Sequence, residues 1–138
     1  MPLVTSVDQR FVVEDKLAHE LVEEFGSPLF VIDEESLRRR AKRYVDSWIG
    51  DVSFASKANT TLAVLKVVFD EGCSIDVASE GELRGALRAG IPAKACRLHG
   101  NNKSVQELDF ALKAGVGKIV VDCFEEIDRL SALSGWPP

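Results

Sequence analysis

The stretch "DVSFASKANTT", residues 51–61, runs a short apolar strand straight into Lys57 and then into a run of Asn and Thr. A primary amine at a strand end has two readings. It is a solvated loop lysine, or it is an amine held at the mouth of a site, ready to form a covalent bond. Three further apolar runs end in polar residues in the same way. One ends in Asp76 with Ser79 and Glu80, the next in His99 with Asn101 and Asn102, and the last in Asp122. Each group also has a purely structural reading. Asp76 lies inside "SIDVAS", where an unpaired charge is costly, and Lys57 is one candidate partner for it. Ser79 and Asp122 suit helix caps. His99 suits a hydrogen-bonded strand end, and the two asparagines suit left-handed turn positions.

The elements around these residues follow a repeat. Residues 14–26, "EDKLAHELVEEFG", place Leu17, Leu21 and Phe25 at helical spacing, with Gly26 as the stop. "LFVID" then reads as a buried strand over 29–32. A helix follows from Asp33 to Gly50 with Leu37, Ala41, Tyr44 and Trp48 on one face. Next come strand "VSFAS" and a helix over 61–71 with Leu62, Leu65, Val68 and Phe69 inward. Strand "SIDVA" precedes a helix over 80–89, strand "ACRLHG" a helix over 105–114, and strand "KIVVD" a helix over 124–133. Gly72, Gly90 and Gly115 stand at the helix ends. Ser79 with Glu82, and Ser104 with Glu107, have capping-box spacing. The tail "SGWPP" reads as a break.

Five strands thus alternate with helices at a period of about 22 residues, which implies parallel β/α units with right-handed crossovers. Two α/β architectures fit. One is a partial β/α barrel of about five units, drawn from a fold of roughly 250 residues. The other is a five-stranded doubly wound sheet. Both gather functional groups at the carboxyl ends of the strands, so Lys57, Asp76, Ser79, His99 and Asn101 would share one rim. Strand spacing of about 4.8 Å keeps neighbouring strand ends within reach of one small ligand.

Composition bounds the rest. The chain has 138 residues, 46% apolar and 28% charged, as a folded domain requires. A net charge of −5 without a basic block argues against nucleic acid or an anionic membrane surface as partner. No apolar run reaches the length of a membrane span, and no secretory leader is visible. Three cysteines without a CxxC suggest neither a disulfide framework nor a metal site, so a reducing cytoplasm is the expected location. No Walker A sequence, GxGxxG turn, HExxH or nucleophile elbow occurs, which weakens nucleotide-binding readings.

The segments "GSPLFVIDEESLRRR", "FASKANTTLAVLKVVFDEGCSIDVASEGELRGALRAGI" and "HGNNKS" resemble the opening of the pyridoxal-phosphate decarboxylases that act on diaminopimelate, ornithine and arginine. The resemblance runs from about residue 14 to 133, and "HGNNKS" favours the diaminopimelate branch. It implies a β/α barrel, pyridoxal 5'-phosphate as cofactor, and decarboxylation of meso-diaminopimelate to L-lysine, with ornithine, arginine or a carrier-bound amino acid as alternative substrates. It implies that Lys57 is the Schiff-base lysine, because it holds the lysine position of the family's Y-A-x-K-A-N segment, with Phe54 in place of the tyrosine. A neutral amine is needed there, which burial and nearby cations favour. Asp76, Ser79, His99 and Asn101 match positions near the cofactor.

The family pattern continues well beyond residue 138. It includes a histidine that stacks on the cofactor ring, a glycine-rich phosphate loop, an acidic partner for the ring nitrogen and a β domain that completes the site across a homodimer. The expected organisation is an N-terminal segment with a helix over 1–26 and an incomplete cofactor-binding barrel over 27–138. On this reading the chain is a truncated product or fragment, inactive by itself or completed by a second polypeptide. A binding or regulatory protein without catalysis is the rival reading, and it predicts that replacing Lys57 by Ala leaves function intact.

Overall fold

The computed structural model describes residues 4–7, 10–13 and 16–133. Its centre is a sheet of β4 (Ser53–Ala55), β5 (Ser74–Val77), β6 (Cys96–Leu98) and β7 (Lys118–Ile119), paired in the order β4-β5-β6-β7. All three pairings are parallel. Between the strands run α3 (Leu62–Asp70), α4 (Glu80–Arg88) and α5 (Val105–Ala114), and α6 (Phe124–Ser131) follows the last strand. A doubly wound sheet reverses its strand order at a switch point. This sheet adds each strand beside the last without reversal, as a barrel does. The architecture is therefore α/β, a partial β/α barrel.

Alternation along the strands sorts the residues by face. Ile75 and Val77 of β5 and Cys96 and Leu98 of β6 are buried, and register places 75 beside 96 and 77 beside 98. They meet Leu65 and Val68 of α3, Leu83 and Ala86 of α4, Leu108 and Ala111 of α5, and Leu130 of α6, which form one core. Each of α3, α4 and α5 offers two residues at i, i+3, the narrow stripe needed to cover two strands. The opposite face is polar. Ser74, Asp76 and Arg97 point there half-buried, and Arg97 pairs with Asp51 at 2.6 Å.

Several expectations need correction. The apolar run 29–32 is not a strand among the described residues, and Phe30 is 96% exposed. Its residues favour strand conformation, but a strand exists only where an edge pairs with it, and here Asp33 at once caps α2 (Glu34–Ser47) through the Ser36 N–H. Among the described residues the parallel sheet therefore has four strands, not five. On α2, Ala41 is buried as expected, whereas Tyr44 and Trp48 are each 65% exposed. Leu62 is likewise exposed on α3. The first helix, α1, begins at Ala18 and ends at Phe25, and residues 14 and 15 of the expected helix lie outside the described residues, as does the tail 134–138. Before α1 stands an antiparallel sheet that the sequence reading missed, formed by β1 (Val4–Val7), β2 (Arg10–Val13) and β3 (Lys16–Leu17). The glycine stops hold: Gly72, Gly90 and Gly115 all have positive φ, as chain reversal at a helix end requires.

The three thiols are free, and their environments differ. Burial pushes the Cys96 thiol up to about 11 and raises that of Cys73, whereas Cys123 is exposed at the start of α6. Thiolate is the reactive form. Titration of the folded protein with a chromogenic disulfide reagent should therefore show one fast thiol, and three after addition of denaturant. A Cys123→Ser variant should lose the fast phase alone.

Candidate active site

The parallel register aligns the strand ends, so the loops that follow β4, β5, β6 and β7 open at one pole. Lys57 lies in a short 3-10 turn, Ser56–Ala58, directly after β4. It lines a cavity of about 470 Å³ together with Ala78, the loop residues His99–Lys103, Glu107 and Asp122. Three of the expected site residues, Lys57, His99 and Asn101, thus come together. Lys57 is exposed, not buried as its expected chemistry favours. Asp76 faces His99, with 3.7 Å between Oδ2 and Nδ1, and among the described residues it does not pair with Lys57. Ser79 does not line the cavity; its hydroxyl caps α4 by accepting from the Glu82 N–H at 3.2 Å. Asp122 is not a cap. Cys123 holds the N-cap position of α6. A cavity of about 460 Å³ at the opposite pole contains Arg97, but that guanidinium is already engaged by Asp51.

Gly100 explains how closely two of these loops approach. Its φ is +109°, and a Cβ there would lie 3.1 Å from the Ala78 carbonyl oxygen. Any side chain at this position meets both a backbone penalty and a contact with the loop after β5. The His99 N–H extends the ladder by donating to Val77 O at 2.8 Å, which brings the imidazole to the rim.

Three glutamates hold the rim, and each occupies the third position of its helix. Glu82 of α4 accepts from the Ala78 N–H at 2.8 Å and the Ser56 hydroxyl at 2.6 Å. That hydroxyl is fully buried beside Lys57 and also approaches Asp76 O. Glu107 of α5 closes a capping box with Ser104 and accepts from the Glu80 N–H at 3.3 Å. The Ser104 N–H is the main cause that holds the Glu107 carboxyl below the usual range. Glu126 of α6 accepts from the Asp122 N–H at 3.1 Å and the Lys103 N–H at 3.4 Å, and pairs with Lys103 Nζ at 2.9 Å. Lys103 Nζ donates also to the Gly100 carbonyl. Each glutamate therefore ties its own loop to the unit before it. Capping-box spacing flags the first two in the sequence, but the Glu82 carboxylate bypasses the Ser79 N–H that a closed box would use. Glu126 has no serine or threonine cap ahead of it, so nothing in the sequence marks it.

Lys103 and Glu126 have side chains 2% and 0% exposed. Burial alone would raise the Glu126 carboxyl. The Lys103 ammonium and two backbone N–H donors outweigh it and hold the group below the usual range. A carboxyl depressed in the fold stabilises it above the ordinary carboxylate range, and that contribution disappears as pH falls through the folded value.

The profile of the family described as pyridoxal-dependent decarboxylase, pyridoxal binding domain, matches residues 34–136. The chain belongs to this family. Pyridoxal phosphate is the cofactor that membership implies. The diaminopimelate decarboxylase of Mycobacterium tuberculosis is 46% identical over 118 residues, 84% of this chain and 26% of that protein. That of Bacillus subtilis is 44% identical over 118 residues, 82% of this chain and 27% of that protein. The chain thus spans about a quarter of the length of these relatives. Among solved structures, the M. jannaschii diaminopimelate decarboxylase in co-complex with L-lysine superposes with a TM-score of 0.79 at 30% identity, covering 91% of this chain and 31% of that one.

The residues present fit the cofactor class. A primary amine suited to a carbonyl carbon stands in a polar cavity whose volume lies within the range of small-ligand sites, roughly 300–1,000 Å³. An imidazole, two side-chain amides, two carboxylates and a second lysine, Lys103, line it with Lys57.

Two stability predictions follow from the rim. Glu82→Ala strands the Ala78 N–H and the Ser56 hydroxyl and should cost about 1–3 kcal/mol, read as a lower urea midpoint, with Glu82→Gln milder. Lys103→Met leaves a buried carboxylate without its counter-ion and should cost about 3–5 kcal/mol at neutral pH. That deficit should shrink as pH falls through the Glu126 titration, because the parent then loses the same contribution.

Proposed function

We propose that this chain carries the lysine-bearing rim of a pyridoxal-phosphate-dependent decarboxylase that converts meso-diaminopimelate to L-lysine and carbon dioxide, a reaction of lysine biosynthesis. The observation that carries the reading is the placement of Lys57 at the carboxyl ends of the strands, in one cavity with the "HGNN" loop. The relatives named diaminopimelate decarboxylase support the substrate, as does the neighbour solved with L-lysine.

When bound, the cofactor supplies an electron sink that accepts the electron pair of the breaking bond to carbon dioxide. Lys57 Nζ is the group that holds it, and the same nitrogen can accept or deliver a proton once substrate replaces it. His99 lies against the cavity, and Asp76 orients its imidazole from the sheet side. Asn101 offers an amide to polar atoms of the ligand. Ser79 acts through α4, whose start it fixes beside the Ala78 loop. Residues 27–138 form the cofactor-binding barrel domain and 1–26 a separate N-terminal segment.

Among the described residues, four strands leave both edges of the sheet unpaired where a closed barrel has eight strands and none. The 138-residue chain alone is therefore proposed to lack turnover, with residues outside it closing the cavity. A homodimer in the cytoplasm is the proposed working form. The exposed aromatics Phe30, Tyr44 and Trp48 are consistent with an apolar contact.

Incubation with pyridoxal phosphate, borohydride reduction and peptide mass mapping test this reading. The reduced label should sit on Lys57, and Lys57→Ala should abolish it. Labelling spread evenly over surface lysines would overturn the assignment. In the complete gene product, carbon dioxide release is expected from diaminopimelate and not from ornithine or arginine, and the 138-residue chain alone should release none.

A further inference from the structure

The "HGNN" loop lies on the rim without a helix or strand of its own to hold it. Its backbone is anchored from below. Lys103 Nζ donates to the Gly100 carbonyl, and the Lys103 N–H is bound by Glu126. The second Glu126 oxygen takes the Lys103 ammonium and the N–H of Asp122 in the next loop. Arg129 of α6 closes the arrangement by donating from Nη1 to the Lys103 carbonyl at 2.8 Å. A single buried pair thus fixes the loop after β6 and the loop after β7 against each other. Both loops line the cavity that holds Lys57.

A buried ion pair is a poor device for stability, since well-packed apolar residues of similar volume serve as well or better. What apolar residues cannot do is bind a carbonyl and two N–H groups on two separate loops. We propose that Lys103 and Glu126 are a positioning pair that sets the His99–Asn102 loop and Asp122 around the Lys57 amine, so that the pair acts on cofactor affinity through loop geometry. Lys103 is among the residues that line the cavity, but its ammonium is buried against Glu126 and the Gly100 carbonyl, and Glu126 is not part of the lining. The proposal rests on the reading of Lys57 as the cofactor lysine.

The double variant Lys103→Met with Glu126→Met separates positioning from stability. It removes both charges together and leaves no unpaired ion. In the complete gene product it should fold, with a thermal midpoint lowered less than that of Lys103→Met, because backbone groups lose partners but no buried charge is left unpaired. Its pyridoxal phosphate dissociation constant, measured by absorbance titration, should rise by about tenfold or more, because the loop atoms lose their anchors. Amide exchange at Lys103 and Asp122, followed without cofactor, should accelerate by a similar factor. A folded double variant with parental affinity and parental exchange would overturn the proposal. Should the double variant fail to fold, Glu126→Gln decides. It keeps an acceptor for the Asp122 N–H but not the charge, and should weaken cofactor binding measurably, whereas unchanged affinity and exchange would sink the idea. The exchange readout needs no cofactor. If the parent carries no borohydride label at Lys57 yet the variant's loops exchange faster, the Lys57 reading has failed while the anchoring stands.

Discussion

Strand order governs what the molecule can bring together. Four strands joined edge to edge in the order in which they are synthesised, all running the same way, put every loop that follows a strand at one pole. Residues 57, 78, 99 and 122 are far apart along the chain, yet each lies just past the end of its strand, and all line one cavity. Had the winding reversed after β5, the helices would lie on both faces and the loops would part at the switch point. Here α3, α4, α5 and α6 share a single core with the inward-facing halves of the strands.

Backbone pairing alone does not finish the rim, because strands of two to four residues end before the loops begin. The glutamates at the third helical positions complete it. Each accepts backbone hydrogens that would otherwise lie near the surface of a low-dielectric core without partners. One carboxylate oxygen serves the glutamate's own loop, and further contacts reach the preceding unit: Ser56 for Glu82, Glu80 for Glu107 and Lys103 for Glu126. Such a chain of contacts couples each loop to the one before it, and Lys57 stands at its first link.

Much of this was readable in the residues. The i, i+3 pairs Leu65 with Val68 and Leu108 with Ala111, followed by Gly72 and Gly115, mark helices that begin and end within a residue or so of where they are found. The alternation in "SIDVA" shows which face of β5 is buried, and the family segments point to Lys57 as the amine. Three things were hidden for physical reasons. The run 29–32 has strand composition, but a partner edge is a property of the fold and not of the segment. The antiparallel sheet before α1 is too short for periodicity to stand out. The Lys103–Glu126 pair joins residues 23 positions apart, and in a sequence each looks like ordinary surface charge. Ser79 shows the reverse case: the cap was legible, but the carboxylate expected to complete its box is used elsewhere.

The face of the sheet turned away from the helices carries Ser74, Asp76 and Arg97, with Arg97 and Ser74 both bound to Asp51. An interior made of hydroxyls and charges does not need to be hidden in order to be comfortable. Half-barrels lined with leucine would cling to one another as soon as they emerged from the ribosome. This one presents a wettable side, on which Asp51 gathers the Arg97 guanidinium and the Ser74 hydroxyl.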